Sequence, residues 1–165
     1  MTRLFVALTV PAAAAEAAER VIAPLRDSEW RWVPTDRWHV TVEFIGDADP
    51  GESAQRWARR VDAIAPLGVR LAGAGAFPRV RSGRVLWIGV DCDVQAWQRL
   101  AGDDQQPHMT VARSRRSVDM TDTVEALAGH RGPEWIAAEL VLFDSRPGPV
   151  YTAIDRFPLG GPAFS

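Results

Sequence analysis

The sequence predicts an α+β fold built from two related halves, and three observations support this prediction. Apolar residues recur with strand and helix periodicity in the order strand, helix, strands, helix, strands, helix and strands. Two segments, His39-Val40-Thr41-Val42 and His108-Met109-Thr110-Val111, share a His-x-Thr-x pattern and contain two of the three histidines. The 165 residues suit one domain with a substantial core. We therefore expect a single domain over residues 1–165, in which each half contributes one His-x-Thr strand.

The chain is predicted to begin with a strand and a helix. Leu4 to Thr9 is a short apolar run typical of a buried strand. Ala12 to Leu25 carries Ala, Glu and Arg at helical spacing, and Pro11 stands where a helix begins, a position that tolerates its missing N–H group. Arg3 and the apolar residues after it superficially resemble a secretory signal, but we interpret them as the first strand.

The remaining elements follow from the same periodicity argument. Strands are predicted where residues alternate or where turn residues bound an apolar run, over Trp30–Val33, Trp38–Ile45, Val69–Ala76, Arg84–Val90, Pro107–Ala112, Glu134–Phe143 and Val150–Phe157. Helices are predicted where apolar residues recur every three or four positions, over Glu52–Ile64, Val94–Leu100 and Thr121–Gly129, the last with its glycine as C-terminal cap. Residues 77–83 are rich in turn residues and arginine and are predicted to form a loop.

Composition excludes several classes of function. All 19 basic residues are arginine and 21 residues are acidic, so the net charge is −2 and the overall positive field of a non-specific duplex binder is absent. Cys92 is the only cysteine, which excludes an internal disulfide and a cysteine-based zinc cluster and favours the cytoplasm. No run approaches the roughly 18 apolar residues of a membrane span. We expect a cytoplasmic protein that makes no membrane contact and binds nucleic acid only locally.

The two His-x-Thr segments present matched polar pairs. Because side chains alternate along a strand, His39 and Thr41 share one face, and His108 and Thr110 do the same on the second strand. The opposite face of the first strand, predicted to point to the core, carries Trp38, Val40, Val42 and Phe44. We expect both polar pairs to face a cleft.

These pairs suit the cleavage of a phosphodiester. One imidazole can deprotonate the nucleophile while the other protonates the leaving oxygen, and threonine hydroxyls can donate hydrogen bonds to phosphate oxygens. Neither histidine has a carboxylate metal ligand beside it in its motif, and two histidines alone form an insufficient metal site. We expect neither a metal nor another cofactor.

Several segments along nearly the whole chain match one family: Arg3–Leu8, Trp38–Gly46, Gly75–Pro78, Val85–Val90, Pro107–Arg113, Ser145–Gly148, Tyr151 and Phe157–Leu159. With these segments the chain resembles the two-histidine (2H) phosphoesterases, specifically the bacterial 2′-5′ RNA ligase-like group, whose members are RNA 2′,3′-cyclic phosphodiesterases. The resemblance implies two pseudo-symmetric lobes around a central cleft. Each lobe would be an antiparallel sheet with packed helices, and the two His-x-Thr strands would face each other.

The resemblance also implies a role for each matching residue. His39 would donate a proton to the departing ribose oxygen, and His108 would accept a proton from water. Thr41 and Thr110 would bind the phosphate. Arg113 matches a family arginine that assists the phosphate, although simple alternation from His108 points it to the other face, so a bulge or the end of the strand must reorient it.

The implied reaction opens a terminal 2′,3′-cyclic phosphate to a 2′-phosphomonoester, with weak reverse ligation through a 2′-5′ bond. Expected partners are RNA 3′ ends or small cyclic nucleotides, and we expect a monomer. Two alternatives stay open, a 2H phosphodiesterase for another small cyclic or 2′-5′-linked nucleotide and a non-catalytic module that binds nucleotides or RNA ends. The stretch from Val90 to Pro107 is shorter than in family members, which leaves the identity of the substrate open.

Residues around the motifs have weaker assignments. Phe77 lies in a segment that resembles a family loop and is a candidate for stacking on a base. Glu43 is expected on the same face as His39, as a carboxylate at the rim. Two arginine clusters, Arg79, Arg81 and Arg84 and then Arg113, Arg115 and Arg116, either line the route to the site or form a solvated charged face.

Overall fold

The computed structural model describes residues 2–27 and 29–160, and this part of the chain forms two antiparallel sheets. Sheet I contains β1 (Thr2–Thr9), β3 (His39–Ala48), β8 (Glu139–Arg146) and β9 (Val150–Pro158), in the order β3-β1-β8-β9. Sheet II contains β2 (Arg31–Trp32), β4 (Leu67–Arg79), β5 (Ser82–Cys92), β6 (His108–Val118) and β7 (Trp135–Ala137), in the order β2-β6-β5-β4-β7. Each sheet therefore contains one His-x-Thr strand, as predicted.

Two α-helices pack on each sheet in the described part of the chain. On sheet II, α1 (Ala12–Ile22) and α4 (Thr121–Leu127) contact β4. On sheet I, α2 (Pro50–Arg60) contacts β9 and α3 (Val94–Ala101) contacts β3. Asp49 and Asp93 begin α2 and α3, because each side chain accepts a hydrogen bond from a backbone N–H of the first turn. The arrangement confirms the predicted α+β fold of two sheets with packed helices.

One continuous apolar cluster lies beneath both sheets. It includes alternate residues of β1 and β5 and the residue between His and Thr in each motif, namely Leu4, Val6, Leu8, Leu86, Ile88, Val40 and Met109. Val40 and Met109 are both fully buried. Because neighbouring residues of a strand point to opposite faces, burying this residue turns the flanking histidine and threonine away from the core.

Three of the four predicted helices are shorter than expected, whereas α3 extends one residue beyond the prediction. The α-helix predicted to reach Leu25 ends at Ile22, and residues 23–25, which include Pro24, form a 3₁₀ turn. The second helix runs from Pro50 to Arg60 and is also followed by a 3₁₀ turn, over residues 61–63. The cap predicted at Gly129 is wrong, since the fourth helix ends at Leu127 and this glycine does not adopt a left-handed conformation.

Two strand predictions are also corrected. Residues 77–83 are not a loop, because β4 and β5 continue through Arg79 and Ser82 and leave only a two-residue turn. Pro78, which lacks an N–H donor, is tolerated at a register shift in this hairpin. The single strand predicted over Glu134–Phe143 is two strands, because the chain leaves sheet II after β7 and enters sheet I at β8.

Among the described residues, no helix combines the length and the apolar character needed to cross a membrane.

Candidate active site

A cleft of about 750 Å³ lies between the two sheets and contains the side chains that the sequence singled out. Its walls include His39 and Thr41 from β3 together with His108, Thr110 and Arg113 from β6. Phe77 of β4 also lines it. The structure thus brings together all six predicted site residues, from three strands that are far apart in sequence.

Each motif histidine is held by the same local hydrogen bond. Nδ1 of His39 lies 2.8 Å from the carbonyl oxygen of Arg37, and Nδ1 of His108 lies 2.8 Å from that of Gln106. A carbonyl can only accept, so Nδ1 carries the hydrogen in both rings. Nε2 is then the nitrogen left for proton transfer, and in the described residues it has no hydrogen-bond partner in either ring. A neutral ring offers Nε2 as a base, and a protonated ring offers it as an acid.

The surroundings of both histidines favour their neutral forms. Burial lowers the pKa of His39, the hydrogen bond to the Arg37 carbonyl opposes this change, and the positive charges of His108 and Arg113 lower the pKa further. Burial likewise lowers the pKa of His108. The hydrogen bond to the Gln106 carbonyl raises this pKa, and the positive charge of Arg113 lowers it further. Arg113 therefore acts electrostatically on both rings. A bound phosphate anion would offset this positive charge and favour the protonation of one ring.

A β-bulge in the second motif strand, β6, explains the orientation of Arg113. In β6, Thr110 pairs with Trp87 and Ala112 pairs with Leu86, so Val111 has no opposite residue. Val111 and Ala112 are both fully buried, and the alternation is displaced by one residue after them. Arg113 consequently lines the cleft with His108, as the family resemblance implied.

The equivalent bulge in β3 overturns two predictions. Thr41 pairs with Ala7 and Glu43 pairs with Val6, which leaves Val42 unopposed. Glu43 therefore lies on the face opposite His39, where it accepts hydrogen bonds from Trp57 and Arg56 of α2, and it is not at the rim of the cleft. Phe44, predicted to be in the core, lines the cleft instead and is 70% exposed.

Aromatic side chains pack against the two imidazole rings. The ring of His39 packs against Phe5 at 4.8 Å and against Tyr151 at 5.4 Å between ring centroids. The ring of His108 packs edge-to-face against Phe77 at 4.9 Å and lies 6.0 Å from Trp87. These contacts restrict the rings to one orientation, which general acid–base catalysis requires.

Gly75 explains why one of these aromatic walls can form. It pairs with Trp87 across the β4–β5 hairpin, and any Cβ at this position would overlap the indole ring. The absence of a side chain therefore lets Trp87 lie flat over β4 and reach Phe77 and His108.

The structure adds cleft residues for which the sequence offered little signal. Arg3 and Arg37 line the cleft, and the Arg37 guanidinium also donates a hydrogen bond to the carbonyl of Pro149 at 2.9 Å. Tyr151 and Ser145 entered the sequence argument only as parts of the family resemblance, and both line the cleft. No aspartate or glutamate is found among the described residues along its walls, so three arginines give the cleft a positive charge in a chain of net charge −2.

The short stretch before the second motif still contributes to the cleft. It forms α3 and a brief loop in which Gln105 lines the cleft wall. The side-chain amide of Gln105 donates a hydrogen bond to the backbone carbonyl of Thr41 at 3.4 Å. The backbone carbonyl of Gln105 accepts a hydrogen bond from the indole N–H of Trp97 at 2.5 Å. The loop thus connects α3 directly to the first motif strand.

The donor set of the described residues offers no metal centre, since no group of three or more His, Cys, Asp or Glu side chains converges there. The two motif histidines converge without a carboxylate. The third, His130, lies outside the cleft, and its Nε2 is buried without a hydrogen-bond partner.

Comparisons with known proteins agree with this geometry. The family described as LigT like Phosphoesterase matches residues 8–87. The RNA 2′,3′-cyclic phosphodiesterase of Aquifex aeolicus is 28% identical, with 79% of this chain and 82% of that protein aligned. The RNA 2′,3′-cyclic phosphodiesterase of Thermus thermophilus is 29% identical, with coverages of 96% and 91%.

Solved structures share the fold over almost the whole chain. TT0787 of Thermus thermophilus superposes with a TM-score of 0.74 at 24% identity, covering 96% of this chain and 98% of that one. Escherichia coli LigT complexed with phosphate superposes with a TM-score of 0.69 at 26% identity, covering 96% and 97%. The family match over almost half of the chain, the curated relatives and the shared fold together identify a hydrolase that is similar to the LigT-like 2H phosphoesterases.

Proposed function

We propose that this phosphoesterase hydrolyses the terminal 2′,3′-cyclic phosphate of RNA or of a nucleotide to a 2′-phosphomonoester. The observation that carries the proposal is the pair His39 and His108, each with Nδ1 bound to a backbone carbonyl and both at one cleft lined by arginines. Curated relatives named RNA 2′,3′-cyclic phosphodiesterase support this substrate class. Crystal structures of E. coli LigT with phosphate and with 3′-AMP support a nucleotide phosphate as the ligand.

The proposed mechanism assigns one proton transfer to each histidine. Nε2 of neutral His108 accepts a proton from water as the water oxygen bonds to phosphorus. The bond between phosphorus and the ribose 3′ oxygen breaks, and Nε2–H of protonated His39 donates its proton to that oxygen. The 2′-phosphomonoester leaves, and the two histidines exchange their protonation states through solvent before the next turnover. The assignment of acid and base follows the family resemblance.

The phosphate is proposed to bind between the motif threonines and Arg113. The hydroxyls of Thr41 and Thr110 lie on the cleft face two residues after each histidine, within the same wall. Hydroxyl and guanidinium donors stabilise the negative charge that grows on the non-bridging oxygens in the transition state. Phe77, which lines the same cleft, is proposed to contact the base.

We propose that the reaction needs no metal, because two histidines can supply both proton transfers and no third donor converges on them in the described residues. Weak 2′-5′ ligation is proposed at the same site: a ribose 5′ hydroxyl replaces water, gives its proton to His108 as its oxygen bonds to phosphorus, and the 3′ oxygen leaves with the proton of His39. Incubating the protein with 2′,3′-cyclic AMP and EDTA, followed by phosphorus NMR, tests the proposal. We expect 2′-AMP as the product at an undiminished rate. A 3′-phosphate product, a requirement for added metal or no turnover would contradict it.

A further inference from the structure

Beside the cleft, on the far side of Arg113, lies a second groove of about 590 Å³, which we call the arginine groove. Its lining includes Trp30 and Arg31 from the β2 region and Arg113, Arg115 and Arg116 from β6. Arg113 lines both the cleft and this groove, so the two are adjacent. Glu29 is the acidic residue on its wall.

Strand pairing places positively charged side chains next to one another in the arginine groove, although their mutual repulsion is unfavourable. Arg31 pairs directly with Arg113 across β2 and β6, and like charges at directly opposed positions destabilise a sheet. Arg115 and Arg116 follow on the same strand, and all four of these arginine side chains are exposed. None of the ion pairs within residues 2–27 and 29–160 involves any of them. An anionic ligand would relieve this repulsion.

An irregularity of β6 directs the last two arginines outward. Val85 pairs with Arg113 but Gly83 pairs with Val118, so two steps along β5 correspond to five along β6. The three additional residues make β6 bulge over positions 114–117. Arg84 donates a hydrogen bond to the exposed carbonyl of Arg115, which fixes the bulge.

Trp30 adds an aromatic surface to this charged groove. It is half-buried and packs against Trp32 at 5.8 Å between ring centroids, which fixes the orientation of its indole. Guanidinium groups beside a fixed aromatic ring are the combination that single-stranded nucleic acids bind, because phosphates pair with the cations and bases stack on the ring.

We propose that the arginine groove binds the RNA strand on the 5′ side of the terminal cyclic phosphate, so the preferred substrate is an oligoribonucleotide rather than a mononucleotide. The inference rests on the proposed function for the identity of the terminal group. Arg113 then contacts the reacting phosphate, Arg31, Arg115 and Arg116 contact the preceding phosphates, and Trp30 stacks on a base.

The test measures the ratio of kcat/KM for a hexaribonucleotide ending in a 2′,3′-cyclic phosphate to that for 2′,3′-cyclic AMP. We expect the double variant Arg115→Ala/Arg116→Ala to lower this ratio about tenfold, because two phosphate contacts are lost. The double variant Arg59→Ala/Arg99→Ala is the matched control, since it removes two exposed arginines that form no ion pair in the described residues and lie outside both grooves. It should leave the ratio unchanged. Arg115→Lys/Arg116→Lys should restore part of the loss.

A binding measurement separates this inference from the proposed function. Fluorescence anisotropy of a labelled hexaribonucleotide with a 3′-phosphate should show weaker binding by the Arg115→Ala/Arg116→Ala variant. The slope of log K against log salt concentration should be smaller by about 1.4. Hydrolysis of both substrates with an unchanged ratio in that variant would overturn the arginine groove alone. Groove-dependent RNA binding without hydrolysis would overturn the proposed reaction alone, and neither binding nor hydrolysis would overturn both.

Discussion

Glu43 gives the sharpest test of the bulge in β3. Simple alternation from His39 would direct its carboxylate into the cleft, whereas the bulge directs it to α2. There Oε1 accepts hydrogen bonds from Trp57 Nε1 at 3.0 Å and from Arg56 at 2.5 Å. We expect Glu43→Ala to reduce stability while the hydrolysis of phosphodiesters persists.

The magnitude follows from the two hydrogen-bond partners of Glu43. Trp57 is fully buried, so leaving its indole N–H without an acceptor costs about 1–3 kcal/mol. The pair with Arg56 lies nearer the surface, with side chains 44% and 32% exposed, and contributes at most about 1 kcal/mol. A loss of about 2–3 kcal/mol lowers the Tm of a chain of this size by roughly 5–10 °C. Glu43→Gln retains an acceptor for Trp57 and should lose less than about 1 kcal/mol.

The pH dependence of this loss has a definite sign. Burial disfavours the charged form of Glu43, but the hydrogen bonds from Arg56 and Trp57 outweigh it, and the pKa is lowered. The resulting stabilisation is therefore present above the unfolded carboxyl pKa of about 4.3 and is lost as the pH falls through the folded pKa. The stability difference between wild type and Glu43→Gln should narrow in that acidic range.

Urea unfolding and steady-state hydrolysis together provide the assay. Glu125→Ala is a suitable control, because this exposed glutamate on α4 forms no side-chain hydrogen bond or ion pair in the described part of the chain, and it should unfold like the wild type. The reasoning is refuted if Glu43→Gln is as destabilised as Glu43→Ala. It is equally refuted if activity falls more than about tenfold with no change in stability, the behaviour of a carboxylate in the cleft.

Three further predictions concern the two motif histidines, the packing of Trp87 beside His108, and the arginine groove. The pH profile of kcat/KM should be bell-shaped with its maximum below the ordinary histidine pKa of about 6.5, because burial and Arg113 lower the pKa of both His39 and His108; an optimum well above pH 7 would count against this. Gly75→Ala should cost about 1–3 kcal/mol in urea unfolding and lower kcat, because its Cβ displaces the Trp87 ring that packs near His108; an unchanged unfolding midpoint contradicts that packing. Arg31→Ala should raise the free energy of unfolding by about 0.2–1 kcal/mol, because Arg113 loses a like-charged neighbour; a destabilised variant would show that the pair does not repel.

The polar pairs of the two motifs were predictable because their geometry is local. Two residues of separation on a strand place a histidine and a threonine on one face, and this relation does not depend on the neighbouring strand. The fully buried Val40 and Met109 maintain it in the fold. The cleft itself required the further step of pairing two distant strands, which the duplicated pattern supplied.

Positions after the motifs were not predictable because a bulge depends on the partner strand. Val42 and Val111 resemble ordinary core residues in the sequence, yet each is the unopposed residue of its ladder. The displacement moves Phe44 and Arg113 into the cleft and removes Glu43 from it. The family resemblance anticipated this only for the arginine.

Other cleft residues had no distinguishing sequence signal. Arg37 is one of 19 arginines, and its place in the cleft depends on the turn before β3 and on the β8–β9 hairpin that accepts its hydrogen bond. Gln105 lies in a short loop whose position is set by hydrogen bonds to Trp97 and Thr41. Such tertiary hydrogen bonds have no periodicity that a sequence pattern can reveal.

The division of proton transfers between the two histidines is tested most directly by changing the leaving group. A p-nitrophenyl phosphodiester departs as a stable anion and needs no proton, whereas ribose oxygen does. We expect His39→Ala to lose about 10²–10⁴-fold on 2′,3′-cyclic AMP and far less on the p-nitrophenyl ester. His108→Ala should lose activity on both substrates, since both require activated water. Wild-type turnover of the cyclic nucleotide by either variant, or equal losses of the His39→Ala variant on both substrates, would contradict the assigned pair.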